Sequence, residues 1–548
     1  MSSYEVSRFL HPAKSMILAA AVVLLMTTAL MAQSPQQHDA HATHVYEKPK
    51  ENPAQVTAPK QEATPVPASS DATRSDADQQ KSHGDAHTEH TTPKTEETKQ
   101  VEAPATTNAA DHSSHGDSTG ARMNGLMVMS GETMGVRVGA SASNFMPMGQ
   151  MGSGTAWQPA SSPTHMWHKQ AGEWLLMFHG EAKVGVNAQG GPRGVTKLES
   201  QNWFMPMAYR RVGRGTLQLR GMFSFEPFTF SGPGSPQLFQ TGEIYKGQPI
   251  IDAQHPHDLF MELSAQYTLP IGERGTWYAY VAPVGEPALG PVAFMHRASA
   301  SENPSAVLSH HLQDSTHISF GVLTSGFTYR WLKVEGSVFN GREPDEHRYG
   351  FEFNPWNSRS VRVTVAPNNN WAMQWSYGLL KNPEQLEPGD TRRMTASVQY
   401  NRPLTRGNWA TSLVWGRNRE EHDDETFKLN GYVAESTVNF LDRNYVYTRL
   451  ELVDKKDLLR HDDLDRLGFD HDFEHPQFRI GAYTFGAARD IWTTDKLSTA
   501  VGGDFTFYSK PDTLDAIYGR RPVSYKFFIR FRPSRMKASD HRGGHSGG

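Results

Sequence analysis

The sequence predicts an all-β fold, a transmembrane antiparallel up-and-down barrel of about sixteen strands behind a disordered N-terminal arm. Two observations carry this. Between Leu332 and Tyr400 apolar and polar residues alternate: Leu332, Val334 and Val338 flank Lys333, Glu335 and Ser337, and Val361, Val363 and Val365 flank Arg362 and Thr364. Trp371, Met373, Trp375, Tyr377 and Leu379, then Met394, Ala396, Val398 and Tyr400, continue the pattern. A period of two gives a strand with one apolar and one polar face. The second observation is that the connections between such stretches alternate between short and long. Hairpins of a membrane barrel sort their loops in this way, whereas a soluble sandwich has no reason to.

Composition narrows the function classes. The 548 residues carry 54 Lys and Arg against 58 Asp and Glu, a balance that argues against nucleic acid as a partner. Cysteine is absent, which removes disulfides, thiolate metal sites, a cysteine nucleophile and lipid attachment at cysteine.

Residues 1–32 read as a signal peptide. Arg8 and Lys14 precede an apolar run from Met16 to Met31, too short for a comfortable membrane span. Residues 33–121 are rich in Ala, Thr, Pro, Gln, Glu, Lys and His and poor in large apolar side chains, so a disordered periplasmic arm is expected. Its histidines come in groups beside carboxylates: His38, His41 and His44; His83, His87 and His90; His112 and His115. Imidazoles three or four apart close on one divalent ion, and a solvated tether with idle histidines is the alternative. Residues 122–172 crowd methionine, including Met123, Met127, Met129, Met134, Met146, Met148, Met151 and Met166. Thioether sulfur suits Cu(I), and methionine is equally an adaptable core filler. The segment is expected to be loosely packed and to tuck into or under the next domain.

The barrel is expected over 173–532. Strands are predicted near Trp174–Asn187, Gln201–Arg211, Thr216–Phe228, Leu259–Leu269, Trp277–Pro283 and Ile318–Phe327, followed by the alternating stretches above. Long connections are predicted at Phe230–His257, Gly285–His317, Gly341–Ser358, Lys381–Thr391, Arg417–Glu425, Asp454–His475 and Ser509–Pro522. Arg220, Glu226, Lys333, Glu335, Arg362, Gln374 and Gln399 are expected to line the lumen, either as a selectivity surface or as paired filling. In the last strand Val523, Tyr525, Phe527, Ile529 and Phe531 point one way, and Ser524, Lys526, Phe528, Arg530 and Arg532 the other. That strand resembles the closing strand of bacterial outer-membrane β-barrel proteins, whose alternating aromatics are recognised by the barrel-assembly machinery. The present chain continues past it into a flexible His/Gly tail, 533–548. The resemblance implies an outer-membrane location in contact with the bilayer. The domain order, a His- and Met-rich exported arm and then a barrel, is similar to that of copper-resistance outer-membrane proteins of the B type.

Three long connections open on one side and hold most of the unusual polar residues. The first carries Asp252, His255, His257 and Asp258. The second carries Glu286, His296, Arg297, Glu302, His310, His311, Asp314 and His317, with Pro287, Pro291 and Pro304 to stiffen it. It follows the fifth strand, where general porins fold a loop inward. The third carries Arg342, Glu343, Asp345, Glu346, His347 and Arg348. His255, His257, His310, His311 and His317 suit an N/O metal site for copper or zinc. A loop-locking network, with Arg342–Glu343 and Asp345–Arg348 as ion pairs, is the competing reading. A third is a hydrolytic triad of Ser315, His317 and an aspartate, without a nucleophile-elbow context. The expected function is passage or sequestration of small solutes, metal ions first and copper ahead of zinc. Behind it stand a non-catalytic structural or interaction barrel whose outer loops bind a partner, and then a hydrolase.

Overall fold

A computed structural model describes residues 125–130, 133–139, 144–422, 425–469 and 476–536. The expected signal peptide, the expected arm with its eight histidines from His38 to His115, and the residues beyond Met536 lie outside the described residues. Three short strands, β1 (Met127–Ser130), β2 (Thr133–Arg137) and β3 (Phe145–Pro147), form an antiparallel sheet ahead of the wall. Then come β4 (Met166–Ala171), β5 (Trp174–Gln189), β6 (Thr196–Val212) and β7 (Gly215–Phe223). A hairpin of β8 (Ser235–Tyr245) and β9 (Gln248–Gln254) intervenes before β10 (Phe260–Ile271), β11 (Gly275–Gly285), β12 (Ser319–Tyr329) and β13 (Leu332–Phe339). The wall continues through β14 (Ser358–Val365), β15 (Trp371–Lys381), β16 (Asp390–Leu404), β17 (Gly407–His422) and β18 (Glu425–Phe440). It ends with β19 (Asn444–Lys455), β20 (Phe478–Thr493), β21 (Leu497–Ser509) and β22 (Val523–Pro533).

Among the described residues sixteen strands, β5–β7 and β10–β22, run round the wall, each antiparallel to the next. Closure falls on β5: its residues Ala182–Gln189 pair with β22, and β4 continues the same edge along Trp174–His179. No sheet edge is left in the wall, which is what a strand needs where no water reaches its backbone.

The wall is apolar outside and polar inside. Val184, Val281, Phe327, Val361, Trp375, Phe485, Phe527 and Ile529 face outward, while Lys333, Arg362, Arg393, Arg449 and Arg530 are fully buried within. This inversion of a soluble protein is stable only with lipid around the cylinder, so the barrel lies in the outer membrane. Among the described residues no helix is long and apolar enough to cross a membrane.

The lumen is filled. Residues 148–163 enter at the short-turn end: Arg362 Nη2 donates to Thr155 Oγ1 (2.9 Å), Arg220 donates to Gly154 O, and Ser161 N donates to Asn369 O (2.8 Å). The connection between β11 and β12 crosses from the other end. Ala288 N and Gly290 N donate to Ser337 Oγ (2.7 Å) and Ser376 Oγ (2.9 Å) on one wall, and Thr437 Oγ1 and Arg449 Nη1 donate to Ser299 O and Ser305 O (both 2.7 Å) on the opposite one.

Four expectations need correction. The third strand stops at Phe223, and Glu226 sits on a one-turn helix, α1 (Glu226–Thr229), so it does not line the wall as a strand residue. The connection Phe230–His257 holds the β8–β9 hairpin, whose backbone pairs with itself. The long link at Arg417–Glu425 is absent: β17 and β18 run on as paired strands to His422 and from Glu425, because their cross-strand register is unbroken. The ion pairs are also different. Arg348 bonds Glu243 and Asp258 (3.2 Å to the latter), and Glu343 faces His311, since loops distant in sequence meet at the mouth.

Candidate metal centre in the lumen

Two connections deliver five imidazoles to one place. His255 and His257 lie on the strap between β9 and β10. His310 and His311 open the one-turn helix α2 (His310–Gln313), and His317 ends the turn after it. Four rings form a closed circuit of neighbours, with centroid separations of 6.1 Å (His255–His310), 5.1 Å (His310–His317), 5.2 Å (His317–His257) and 6.5 Å (His257–His255). His311 stands 5.3 Å from His310 and 5.7 Å from His255. With metal–nitrogen bonds of about 2.0 Å, imidazoles set tetrahedrally round one ion have centroids about 5 Å apart. Two of these separations match that and two exceed it, and no three ligand atoms of the five histidines lie within 4.8 Å of one another, so the rings form a file of neighbours rather than one closed shell.

Each ring is oriented through Nδ1. That atom meets Glu226 Oε2 (2.7 Å) in His257, Asp314 Oδ1 (2.7 Å) in His310, Glu343 Oε1 (3.1 Å) in His311, Asp314 O (2.8 Å) in His317 and Pro256 O (3.2 Å) in His255. These acceptors fix the proton on Nδ1 and leave the Nε2 lone pair available, as the outer partners of metal-bound histidine do. Nε2 of His257, His310, His311 and His317 is buried with no hydrogen-bond partner. His255 Nε2 lies 3.1 Å from Glu243 Oε1 without hydrogen-bond geometry. A buried nitrogen lone pair without a donor is costly, and a bound cation would satisfy such an atom.

Burial holds His255, His310 and His317 below the ordinary imidazole range, His310 in spite of Asp314, so these rings are neutral near pH 7. Burial raises the Asp314 carboxyl, but His310 and Arg297 outweigh it and keep the group ionised. Arg297 in turn is shared with Glu435 (2.6 Å) and Asp314 (3.1 Å), which ties the centre to β18.

Towards the short turns the file of imidazoles continues. His296 packs on Trp203 (4.3 Å), with its Nε2 3.1 Å from Met222 Sδ. His179 lies against the same tryptophan (4.7 Å), and His165 Nδ1 meets Pro533 O (3.2 Å). Around them is a methionine cluster: Met127, Met148 and Met166 pack with Met177, Met205, Met207, Met222 and Met261 of the wall. Small cavities follow the file. One of about 90 Å³ is lined by His311 and Glu384, one of about 40 Å³ by Glu226 and His257, and one of about 70 Å³ by His165, His179 and His296.

All five lumenal histidines expected from the sequence are thus brought together. Sequence reasoning missed His165, His179 and His296 as neighbours of the centre. The inward parity of Leu175, Met177, His179 and Glu181 was the available signal for His179. Glu226 as the partner of His257 has no local signal. Ser315 is engaged elsewhere, its Oγ accepting from Arg393 Nη1 (2.8 Å), while His317 Nδ1 turns to a backbone carbonyl.

No protein-family model matches the chain, and no curated protein matches it. Solved structures similar to it include the anion-selective porin from Comamonas acidovorans, with 10% identity and a TM-score of 0.42 over 66% of this chain and 100% of that one. Pseudomonas putida OprB is similar at 11% identity and TM-score 0.42, over 66% of this chain and 94% of that one. Salmonella typhi OmpF in complex with daunomycin is similar at 11% and 0.39, over 67% and 100%.

Proposed function

We propose that this barrel moves transition-metal ions across the outer membrane, copper ahead of zinc, by passing them between fixed ligands in a filled lumen. The observation that carries the reading is the set of buried imidazoles with Nδ1 tied and Nε2 unpartnered. Imidazole serves copper and zinc alike; the adjoining thioethers favour copper, because Cu(I) prefers soft sulfur. The histidines of the arm, His38 to His115, would receive ions released at the short-turn end. The protein needs no catalytic role in this scheme. A second reading, a non-catalytic barrel whose outer loops meet a partner, is favoured by the exposed Phe353 and Trp356 in the β13–β14 connection.

The test is metal flux into proteoliposomes that enclose a chelating dye. The wild-type protein should admit copper and zinc faster than the doubly substituted His257→Ala/His317→Ala protein, with calcium excluded by both. Equal copper and zinc flux in the two proteins would remove the proposal.

A further inference from the structure

At the long-loop mouth a different set of ligands converges. We infer that His311, Glu343 and Glu384 form a second cation site, of mixed imidazole–carboxylate character, which takes a divalent ion ahead of the imidazole centre. One ligand atom from each residue lies within 4.8 Å of the others, the one such group among the described residues. The three come from separate connections: His311 from α2, Glu343 from the loop between β13 and β14, and Glu384 from the loop between β15 and β16.

Two further observations point to a ligand. The Glu343 side chain is 8% exposed, and its Oε2 is buried without a hydrogen-bond partner. His311 Nε2 is likewise buried and unpartnered, although its Nδ1 meets Glu343 Oε1. The backbone gives the ring room: Gly242 has φ +129°, and a Cβ there would stand 2.1 Å from His311 Nε2. A cavity of about 90 Å³ opens beside the group, lined by Gly242, His311, Glu384, Glu387, Glu420 and Lys456.

The charges around it favour an ion over a simple pair. Lys456 bonds Glu387 and lies 3.2 Å from Glu420, and Arg393 donates to Asn418, Ser315 and His311 O. Glu384, Glu387, Glu420 and Asp457 line one cavity, so their carboxylates repel one another there. A divalent cation relieves that repulsion directly. Two carboxylates and one imidazole suit zinc or Cu(II) and differ from the all-nitrogen set deeper in. Because His311 also neighbours His310 and His255, the mouth site and the inner centre share a border residue.

This gives the proposed carriage its loading step, but the site's existence is testable apart from that reading. Crystals of the full chain, grown with zinc chloride, should show an anomalous peak bonded to His311, Glu343 and Glu384. A separate peak among His255, His257, His310 and His317 tests the inner centre. In Glu384→Gln the outer peak should vanish and the inner one remain, and in solution the desalted protein should retain one zinc fewer than wild type. Folding is checked by heat-modifiable migration on gels, and Glu343→Gln serves if Glu384→Gln misfolds. No outer peak in the wild type, or equal zinc retention by wild type and a folded variant, overturns the site whatever the inner peak does.

Discussion

Asp314→Asn probes the centre without emptying it. The carboxylate does three things at once: Oδ1 accepts from His310 Nδ1 (2.7 Å), and Oδ2 accepts from Phe294 N (2.9 Å) and Arg297 Nη1 (3.1 Å). An asparagine of nearly the same shape must present an NH2 to one side. Facing Arg297 and Phe294, it sets donor against donor. Facing His310, it drives the proton to Nε2 and removes the lone pair that a metal would use. Loss of an orienting partner typically costs 10- to 100-fold in metal affinity, about 1.4–2.8 kcal/mol. The fold should survive, because Glu435 still holds Arg297 at 2.6 Å and His317 is oriented by the main-chain oxygen of residue 314. The assay is zinc competition against a fluorescent chelator on the full chain, where the arm contributes the same background to both proteins. A folded Asp314→Asn protein with affinity within twofold of wild type would refute the orienting role and weaken the case for the centre.

Acid should destabilise the metal-free barrel. Burial depresses His255, His296, His310 and His317, so below the unfolded-state value of about 6.5 the unfolded chain binds more protons, and stability falls from there as pH drops towards the folded-state values; the temperature of heat-modifiable migration should be lower at pH 5 than at pH 7.5, and bound zinc should steepen the dependence. Replacing Met205, Met207 and Met222 together by leucine should keep the packing within about 1.5 kcal/mol per site and leave zinc affinity unchanged. Silver, as a stable surrogate for Cu(I), should bind at least tenfold more weakly, as read by competition. In planar bilayers the intact protein should give no porin-sized steps, and deletion of residues 148–163 alone should still give none, because the β11–β12 connection stays bonded across the lumen through Ala288, Gly290, Ser299 and Ser305.

The wall was legible because its rule is local. Alternation in β13, β15 and β22 names the lipid face residue by residue, and loop parity puts His255, His257, His310, His311 and His317 on one side before any coordinate is known. The link expected at Arg417–Glu425 failed because its charged residues keep the strand's alternation, Asn418 and Glu420 buried inward and Arg417 and Arg419 turned out, so charge there does not mark a loop. Residues 122–172 are expected to pack loosely and to tuck into or under the next domain; residues 148–163 do enter the barrel, where Thr155 and Gly154 answer three buried cations, a pairing no periodicity encodes. The partners of the histidines were the least visible, since Glu226 and Glu343 reach their rings from loops 31 and 32 residues away.

The filling of the lumen itself restricts what can pass. Glu435, shared by Arg297 and Arg449, pins the inward loop to the wall, and Arg362 and Lys333, both held by Glu335 (3.0 and 3.2 Å), bond Thr155 of residues 148–163. Breaking such buried pairs costs about 3–5 kcal/mol each, so thermal motion does not clear the path. A cavity of about 300 Å³ lies at the short-turn end beside Thr155, Arg220 and Lys333, but those along the histidines, about 40–90 Å³, hold a few waters and reject a sugar or a peptide. A bare ion is different: it needs no open bore, only a next ligand before the last one lets go. Rings spaced 5.1–6.5 Å apart supply that at the centre, and His296 beside Met222 offers nitrogen and sulfur together further in. On the proposed function, the chemistry that keeps water-filled diffusion out is therefore the chemistry that would let a coordinated ion step through.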